Sequence, residues 1–217
     1  MKALSLSVAA FAVLSIVACG PSEAEIAAQK EKATADSLAA LAAMEKTYMV
    51  DAAASTVKWT GTMLGVKSHY GTVSLTEGKL AMKGPQITAG GFVVDLKSMA
   101  PMDSAYAPDG SKQGTKAMLI GHLMSPDFFD VETYPTATFD ITRVEGSTVY
   151  GNLTVRGKTN EEKVSDVVVT EDGGVVKASG KLAFDRQKYG VAWSTGAKDM
   201  ILNDNIELDI TLTAKAQ

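Results

Sequence analysis

The chain of 217 residues is poor in cysteine, histidine and aromatic residues, and it has no excess of positive charge. A net charge of −4 at pH 7 does not fit nucleic-acid binding, which needs a basic face, and an aromatic content of 6% leaves little for base stacking. A single cysteine excludes an intramolecular disulfide, and two histidines far apart in sequence are a weak metal signal. The remaining composition, 46% hydrophobic and 21% charged, is sufficient for a globular core.

Motifs of the common catalytic classes are also missing from the sequence. It contains no G-x-S-x-G, H-E-x-x-H, C-x-x-C, G-x-G-x-x-G or P-loop pattern. Asp127, Asp130 and Glu132 lie close together, but paired catalytic carboxylates come from opposed walls of a cleft. Ser125 and Pro126 before them predict the start of a short helical turn, whose dipole favours acidic residues. The sequence therefore favours a function other than catalysis.

The N-terminus is typical of a bacterial lipoprotein signal. One lysine is followed by an uncharged apolar run that ends at Cys19 and is too short for a stable membrane span. Residues 16–18, Ile-Val-Ala, match the lipobox that precedes an acylated cysteine. We therefore expect a signal peptide over 1–18 and an acyl anchor on Cys19, which would hold the protein on a cell-envelope membrane, facing the periplasm. The alternative is ordinary cleavage near Ala18, with Cys19 left as a free thiol.

Residues 19–47 are predicted to be a spacer between the anchor and a folded domain. From residue 22 onward this segment is rich in alanine, glutamate and lysine and lacks glycine and proline, which favours a helix. Its apolar stripe of Leu38, Leu41 and Met44 is thin. We expect a solvated helix or a frayed one, with packing on the domain or self-association as the alternative.

From about residue 48 to residue 217 the hydrophobic pattern repeats every two residues. The segments 57–63 and 206–212 show it most clearly, and eight or nine such segments are separated by turns rich in Gly, Asp and Asn. This alternation is typical of half-buried antiparallel strands. Only residues 111–130 break it, with a helical spacing in KAMLIGHLM. The sequence thus predicts an all-β domain over 48–217, either a sandwich or a closed barrel.

Small residues occupy many of the apolar positions in these strands, namely Gly61, Gly71, Ala137, Gly151, Ala178 and Gly180. If they point into an eight-stranded barrel, the interior keeps a hole wide enough for one slender ligand. Alternatively, the glycines mark bends or bulges. His69 is in phase with these inward positions, either as a satisfied polar group of the core or as a contact for a ligand's polar head.

Residues 121–139, GHLMSPDFFDVETYPTATF, resemble the central signature of the YceI-like family, the polyisoprenoid-binding, lipocalin-like proteins of bacteria. Further landmarks of the family follow the same order along the chain: WTG at 59–61, HYG at 69–71, GFVVD at 91–95, GNLTVRG at 151–157 and DRQKYGV at 185–191. The resemblance extends from about residue 50 to 215. One departure is Asp185, where the family often has asparagine.

The resemblance implies an eight-stranded antiparallel barrel with a short helical segment near its mouth. It also implies an elongated apolar tunnel that binds an isoprenoid-type chain, such as a quinone tail or a polyprenyl phosphate, without turnover and without a cofactor or metal. The ligand contacts expected on this basis are Trp59, His69, Phe92, His122, Phe128, Phe129, Phe139, Tyr189 and Trp193.

Two other functions stay open from the sequence. One is a structural or interaction lipoprotein whose barrel is filled by its own side chains. The other is an enzyme acting on an amphiphile, which would have to use His69 or His122. His122 is expected in the helical segment, either near the mouth or bonded to a loop carbonyl.

Overall fold

The structure, a computed structural model, describes residues 22–42, 44–64, 67–104, 106–194 and 201–217. The chain divides into two units, 1–41 and 42–217. Helix α1 (Glu23–Ala42) begins with a capping box, because the Ser22 hydroxyl accepts a hydrogen bond from the Glu25 amide while the Glu25 carboxylate accepts one from the Ser22 amide. The described side chains of α1 are exposed. Cys19 and the segment 1–21 lie outside the described residues.

The second unit contains nine described strands, one α-helix and two 3₁₀ helices. The strands are β1 (Glu45–Val50), β2 (Thr56–Leu64), β3 (Lys67–Lys83), β4 (Gln86–Pro101), β5 (Thr136–Glu145), β6 (Thr148–Val155), β7 (Lys158–Asp172), β8 (Val175–Asp185) and β9 (Ile201–Ala216). Helix α2 (Lys116–Met124) lies between β4 and β5, and the 3₁₀ helices are Ala52–Ala54 and Arg186–Tyr189.

The strands close into a barrel of eight positions. β2 pairs with β3 on one side and with β9 on the other, and consecutive antiparallel pairs from β3 to β9 complete the ring. β1 also pairs with β3 and β9, so it occupies the same position in the ring as β2, farther along the barrel. On β3, for example, Lys79 pairs with Met49 of β1 and Val73 pairs with Val57 of β2. The 3₁₀ helix Ala52–Ala54 separates β1 from β2 within this shared position. The predicted all-β, eight-stranded antiparallel barrel is confirmed.

Two details of the strands differ from the sequence-based expectation. Strand β1 begins at Glu45, inside the segment predicted as spacer. The segments SHYGTVSL (68–75) and KLAMK (79–83), whose sequences predict two separate strands, form one long strand over 67–83. The chain passes from one to the other through a bulge at Thr76 and not through a turn, because Leu75 pairs with Val94 and Glu77 with Val93. A Cβ at Gly78 would lie 2.7 Å from Cβ of Val50, so glycine permits the close approach of β1.

The predicted helix in KAMLIGHLM is present as α2, and the predicted turn follows it over 126–129, but the Ser125 side chain does not cap that turn. Thr115 caps the N-terminus of α2 by accepting a hydrogen bond from the Met118 amide, at 3.2 Å. Ser125 ends the same helix, since its hydroxyl donates to the carbonyl oxygen of His122 at 2.8 Å. Residues 126–129 then form a turn. Ser125 therefore caps the C-terminus of one helix rather than the N-terminus of another.

The two ends of the barrel are built differently. At the β1 end, a separate cluster of buried side chains closes the interior, formed by Tyr48, Leu80, Met82, Val176 and Ala214. We call this end the plugged end. At the other end of the barrel, β6 and β8 end and β7 and β9 begin. The segments that connect the strands at this end contain α2, the turn 126–129 and the 3₁₀ helix Arg186–Tyr189. We call it the helix end.

Candidate functional site

The barrel encloses a cavity of about 280 Å³. Its wall is formed by all eight strand positions, by α2 and by the segments that follow α2 and β8. The wall is almost wholly apolar, and among the described lining residues the only ionisable side chains are His69 and His122. A concave apolar space with few polar groups is the usual form of a site for a hydrophobic ligand.

Eight of the nine predicted ligand contacts lie in the wall of this cavity: Trp59, His69, Phe92, His122, Phe128, Phe129, Phe139 and Trp193. Tyr189 does not. Its side chain is fully buried, with its ring edge-to-face against Phe184 at 5.3 Å and its hydroxyl donating to Oε1 of Glu162 at 3.1 Å. Burial raises the pKa of the Tyr189 phenol, and the Glu162 carboxylate adds to this. The Tyr189 ring therefore packs against Phe184, and Phe184 rather than Tyr189 lines the cavity.

The small inward residues form two groups, of which the first lines the cavity, as the interpretation with a ligand hole expects. Gly61, Ala137, Ala178 and Gly180 line the cavity, and a Cβ at Gly61 would meet only Cδ1 of Ile206, at 3.6 Å. Gly71 and Gly151 instead permit close contacts between neighbouring strands. A Cβ at Gly71 would lie 2.7 Å from Cζ2 of Trp59, and one at Gly151 would lie 2.5 Å from Cζ of Phe139. These two glycines let the aromatic rings lie flat over the strand beside them.

His69 lies in the cavity wall within a polar cluster. Its Nδ1 is 3.2 Å from both carboxylate oxygens of Asp103, and the Tyr106 hydroxyl donates a short hydrogen bond to the same carboxylate. The Tyr106 ring stacks on the His69 ring, with centroids 5.4 Å apart. Burial raises the pKa of Asp103, but the hydrogen bonds from Tyr106 and His69 outweigh it, so the net pKa is lower than usual. Asp103 is therefore a carboxylate at neutral pH.

The Asp103 carboxylate is expected to make stability depend on pH. Because its folded pKa is lowered, its contribution is present above the pKa of an unfolded aspartate, about 3.9, and is lost as the pH falls through the folded pKa. We expect Asp103→Asn to lower the free energy of unfolding at pH 7 by about 1–3 kcal/mol, and the difference from the parent chain to shrink as the pH falls below about 4. Urea denaturation of the two proteins between pH 7 and pH 3 measures both the loss of unfolding free energy at pH 7 and its decrease at low pH. A difference that stays constant with pH would contradict the assignment.

His122 occupies the last turn of α2 and lies in the cavity wall among aromatic rings. Its ring meets that of Trp193 edge-to-face at 4.6 Å and that of Phe128 at 5.4 Å. Its Nε2 is buried and has no hydrogen-bond partner among the described residues. Burial lowers the pKa of His122, and Asp127 offsets this only in part, so the imidazole is neutral at pH 7. His122 thus lies in the helical segment, as the sequence predicts, and its Nε2 is not bonded to a carbonyl oxygen of the described residues.

Neither a metal site nor a membrane-spanning helix is evident in the described part of the chain. No three histidine, cysteine or acidic side chains there are grouped so that they could hold a metal ion. No described helix is both long enough and apolar enough to cross a bilayer.

Comparison with known proteins gives a family for this barrel. Residues 48–214 match the family model described as the YceI-like domain. The chain belongs to the YceI-like family. No curated protein matches it.

Several solved structures are similar to the YceI-like barrel. Burkholderia cenocepacia BcnA is 24% identical with a TM-score of 0.50, over 76% of this chain and 99% of that one. A polyisoprenoid binding domain from Saccharophagus degradans is 14% identical with a TM-score of 0.49, over 78% and 98%. A Campylobacter jejuni YceI protein is 18% identical with a TM-score of 0.43, over 61% and 75%. At these identities the likeness concerns the fold alone.

Two arginines of the YceI-like motifs hold the segments at the helix end. Arg156 and Gly157 form the two-residue turn between β6 and β7, both with positive φ, of 51° and 69°. From this turn the Arg156 guanidinium donates to the carbonyl oxygens of Pro126, Phe128 and Gly190, at 2.7, 2.8 and 3.0 Å. It thereby fixes the turn that carries Phe128 and Phe129.

Arg186 is the second of these arginines, and it is only 3% exposed. Its guanidinium donates to four backbone carbonyls and one carboxylate: Val191 at 2.6 Å, Trp193 at 3.0 Å, Asn203 at 3.2 Å, Leu202 at 3.4 Å and Oδ1 of Asp204 at 3.2 Å. Burial lowers the pKa of Arg186, and the carboxylates of Asp204 and Asp185 counter this. Asp185, the departure from the family pattern, caps the 3₁₀ helix by accepting from the Gln187 amide at 2.9 Å, as an asparagine oxygen also would.

Proposed function

We propose that this YceI-like protein binds one long-chain isoprenoid-type or similar amphiphilic lipid in the barrel cavity, as a carrier, a store or a sensor. The observation that supports the proposal is the cavity itself, with an apolar wall drawn from every strand position and two histidines in it. A structural barrel filled by its own side chains would leave no such space. The described chain therefore favours ligand binding over the filled barrel.

The hydrophobic tail supplies most of the affinity in this proposal. Burying a twenty-carbon chain yields about 16 kcal/mol gross, at about 0.8 kcal/mol per CH₂. The cost of ordering a flexible chain and of association offsets much of this gain. Tail length alone consequently does not define the ligand, and the polar groups of the wall select among lipids with similar tails.

Binding can be measured through the two tryptophans of the chain, Trp59 and Trp193, because both line the cavity. Titration of the full chain in mild detergent with menaquinone-4 is expected to quench their fluorescence saturably, at one ligand per chain. The variants Trp59→Phe and Trp193→Phe should each retain part of the quenching. Quenching that rises linearly, as for free N-acetyltryptophanamide in the same detergent, would contradict the proposal.

We further propose that the ligand is bound without chemical conversion. An enzyme acting on an amphiphile would have to use His69 or His122, the ionisable side chains among the described lining residues. Menaquinone-4 and geranylgeraniol recovered after prolonged incubation are expected to be unchanged by mass. Turnover that disappears in the His69→Ala/His122→Ala double variant would establish the enzymatic alternative.

We also propose that the protein is a lipoprotein of the cell envelope, with a signal peptide over 1–18, an acylated Cys19, a spacer from residue 19 to the start of β1 at Glu45, and the barrel domain from there onward. The lipobox residues before Cys19 and the helical spacer after it support this proposal. Intact mass spectrometry of the chain from a bacterial membrane fraction should show Cys19 as the N-terminus, carrying acyl groups. Cleavage at another site, with a free thiol at Cys19, would contradict it.

A further inference from the structure

The cavity ends inside the barrel, before the plugged end. On β8 and β9, Ala178 pairs with Leu212, and both residues line the cavity. The next inward pair, Val176 and Ala214, belongs to the cluster that closes the plugged end, and each of these side chains is only 1% exposed. The cavity therefore does not reach this second pair, and its floor crosses β8 and β9 between the two pairs.

Strand β3 shows the same boundary. Of the residues in the cluster at the plugged end, only Leu80 also lines the cavity. Met82, the next inward residue of β3, and Tyr48, which pairs with Leu80 from β1, are almost completely buried. Neither the cavity nor solvent contacts them appreciably. Leu80 is thus part of the floor, and Met82 and Tyr48 lie beneath it.

Tyr48 holds the cluster beneath the floor in place. Burial raises the pKa of the Tyr48 phenol, and the carboxylate of Glu171, its hydrogen-bond partner, adds to this. Glu171 belongs to β7, which is not a neighbour of β1 in the sheet, so the Tyr48 side chain reaches across the interior. A close-packed cluster cannot open without losing many contacts. A lipid tail that reaches Leu80 is therefore expected to stop there.

The opposite end of the cavity is the one that suits a head group. His69, an ionisable residue of the wall, pairs with Gly61, which pairs with Ile206 near the start of β9. Phe184, at the end of β8, pairs with the same Ile206, so this level of the barrel lies at the helix end. Burying a polar head group against the apolar floor would cost free energy. An amphiphile would thus lie with its head group at the helix end and its tail directed at the floor.

We propose that the plugged end fixes the maximum length of the lipid tail that the barrel encloses, and that Leu80 and Ala178 at the floor set this limit. This inference rests on the proposed function, because it assumes that the cavity holds a lipid. Each isoprene unit that finds room within the apolar wall adds to the affinity, whereas a unit in excess stays outside the cavity and adds nothing. Retention should therefore increase with tail length up to a limit and not beyond it.

The test is a competition among isoprenoid alcohols that differ only in tail length, a series from geraniol to decaprenol in steps of one isoprene unit. The full chain in mild detergent is incubated with equal amounts of all members, repurified, extracted and analysed by mass spectrometry. Each variant is treated with the same mixture in the same detergent, so partition of the alcohols into micelles cancels in the comparison with the parent chain. Thermal unfolding of each variant checks that it is folded.

Two variants move the floor in opposite directions. Leu80→Ala/Met82→Ala removes six side-chain atoms other than hydrogen, about as many as one isoprene unit contains, and so deepens the cavity. Ala178→Phe adds a phenyl ring at an inward position of β8 and raises the floor by a similar volume. Because it fills space instead of creating a void, Ala178→Phe decides the test if the double variant does not fold. The matched control is Leu182→Ala, on the same strand, which widens the side wall and leaves the floor intact.

We expect Ala178→Phe to shift the limit to a tail one isoprene unit shorter, and to lower retention of the longest tail that the parent chain encloses by at least about tenfold. The double variant should shift the limit one unit longer. Leu182→Ala should lower retention of all the alcohols alike and keep the limit. Retention that increases up to decaprenol, or an unchanged limit in a folded Ala178→Phe variant, overturns this inference and leaves the proposed function standing. Retention of none of the alcohols overturns both.

Discussion

Replacing Arg186 by methionine is expected to lower the free energy of unfolding by about 3–5 kcal/mol, because a buried guanidinium is removed and its partners stay buried. Arg186 joins the segment Val191–Trp193 to the start of β9 through four carbonyl oxygens. Methionine fills a similar length but donates no hydrogen bond to any of them. For a domain of this size the loss corresponds to a fall in melting temperature of about 10 °C.

Arg143→Met is the matched control for this prediction. Arg143 pairs with Glu145 and Glu161 on the barrel surface, where its side chain is 42% exposed. Exposed ion pairs contribute little to stability because water and salt screen them. Urea denaturation of the two variants and the parent chain should give a large loss for Arg186 and a small one for Arg143. Equal losses would show that the buried carbonyl contacts of Arg186 are not what stabilises this end of the barrel.

The second large effect is expected at Gly61, where a phenylalanine would fill the cavity. Gly61 lines the wall, and a Cβ added there meets only Ile206, at an ordinary contact distance of 3.6 Å. Gly61 is in phase with Val57 and Trp59, which also line the cavity, so the benzyl group of Gly61→Phe is expected to point into the cavity. We expect saturable quenching by menaquinone-4 to weaken at least about a hundredfold, which corresponds to about 2.7 kcal/mol.

Two controls separate blocking of the cavity from general damage to the fold. Gly61→Ala adds only the Cβ and should bind like the parent chain. Gly121→Phe adds the same ring on an exposed position of α2, where a Cβ meets nothing within 4 Å. Unfolding measurements should show that Gly61→Phe is folded, with a cost of about 1–3 kcal/mol for overpacking. Normal binding by a folded Gly61→Phe variant would mean that the ligand site lies elsewhere.

The alternation of apolar and polar residues was sufficient to predict an all-β domain, because side chains of half-buried strands point alternately to the two faces of a sheet. It did not distinguish a sandwich from a barrel, and the barrel was predicted from the resemblance to the YceI-like family. The motifs then gave several aromatic residues of the cavity wall, including Trp59, Phe92 and Phe139. The sequence showed less clearly which strands continue and how they pair across the sheet. The segment Thr76–Gly78 has the composition of a turn, and only the register between β3 and β4 shows that the strand continues through a bulge at Thr76.

The polar parts of the site could not be predicted, because they depend on contacts between distant segments. Asp103 and Tyr106 follow β4 without any periodic pattern, and they meet His69 only after the barrel closes. Tyr189 shares a motif with Arg186, yet its side chain packs behind Phe184 rather than in the cavity. For the two motif arginines the only sequence signal was their place in the family landmarks, and their carbonyl partners become evident only in the structure.

The central claim is that the barrel holds one lipid, and the most direct test is to identify what accompanies the protein. The full chain and its Gly61→Phe variant would be expressed in bacteria, purified gently in parallel, extracted with organic solvent and analysed by mass spectrometry. The account predicts that about one molecule of a single-chain amphiphile is extracted per molecule of the parent chain. It also predicts that this lipid is absent from the extract of the Gly61→Phe variant. An empty extract from the parent chain, repeated after incubation with quinones and isoprenoid alcohols, or equal lipid in both, would contradict it.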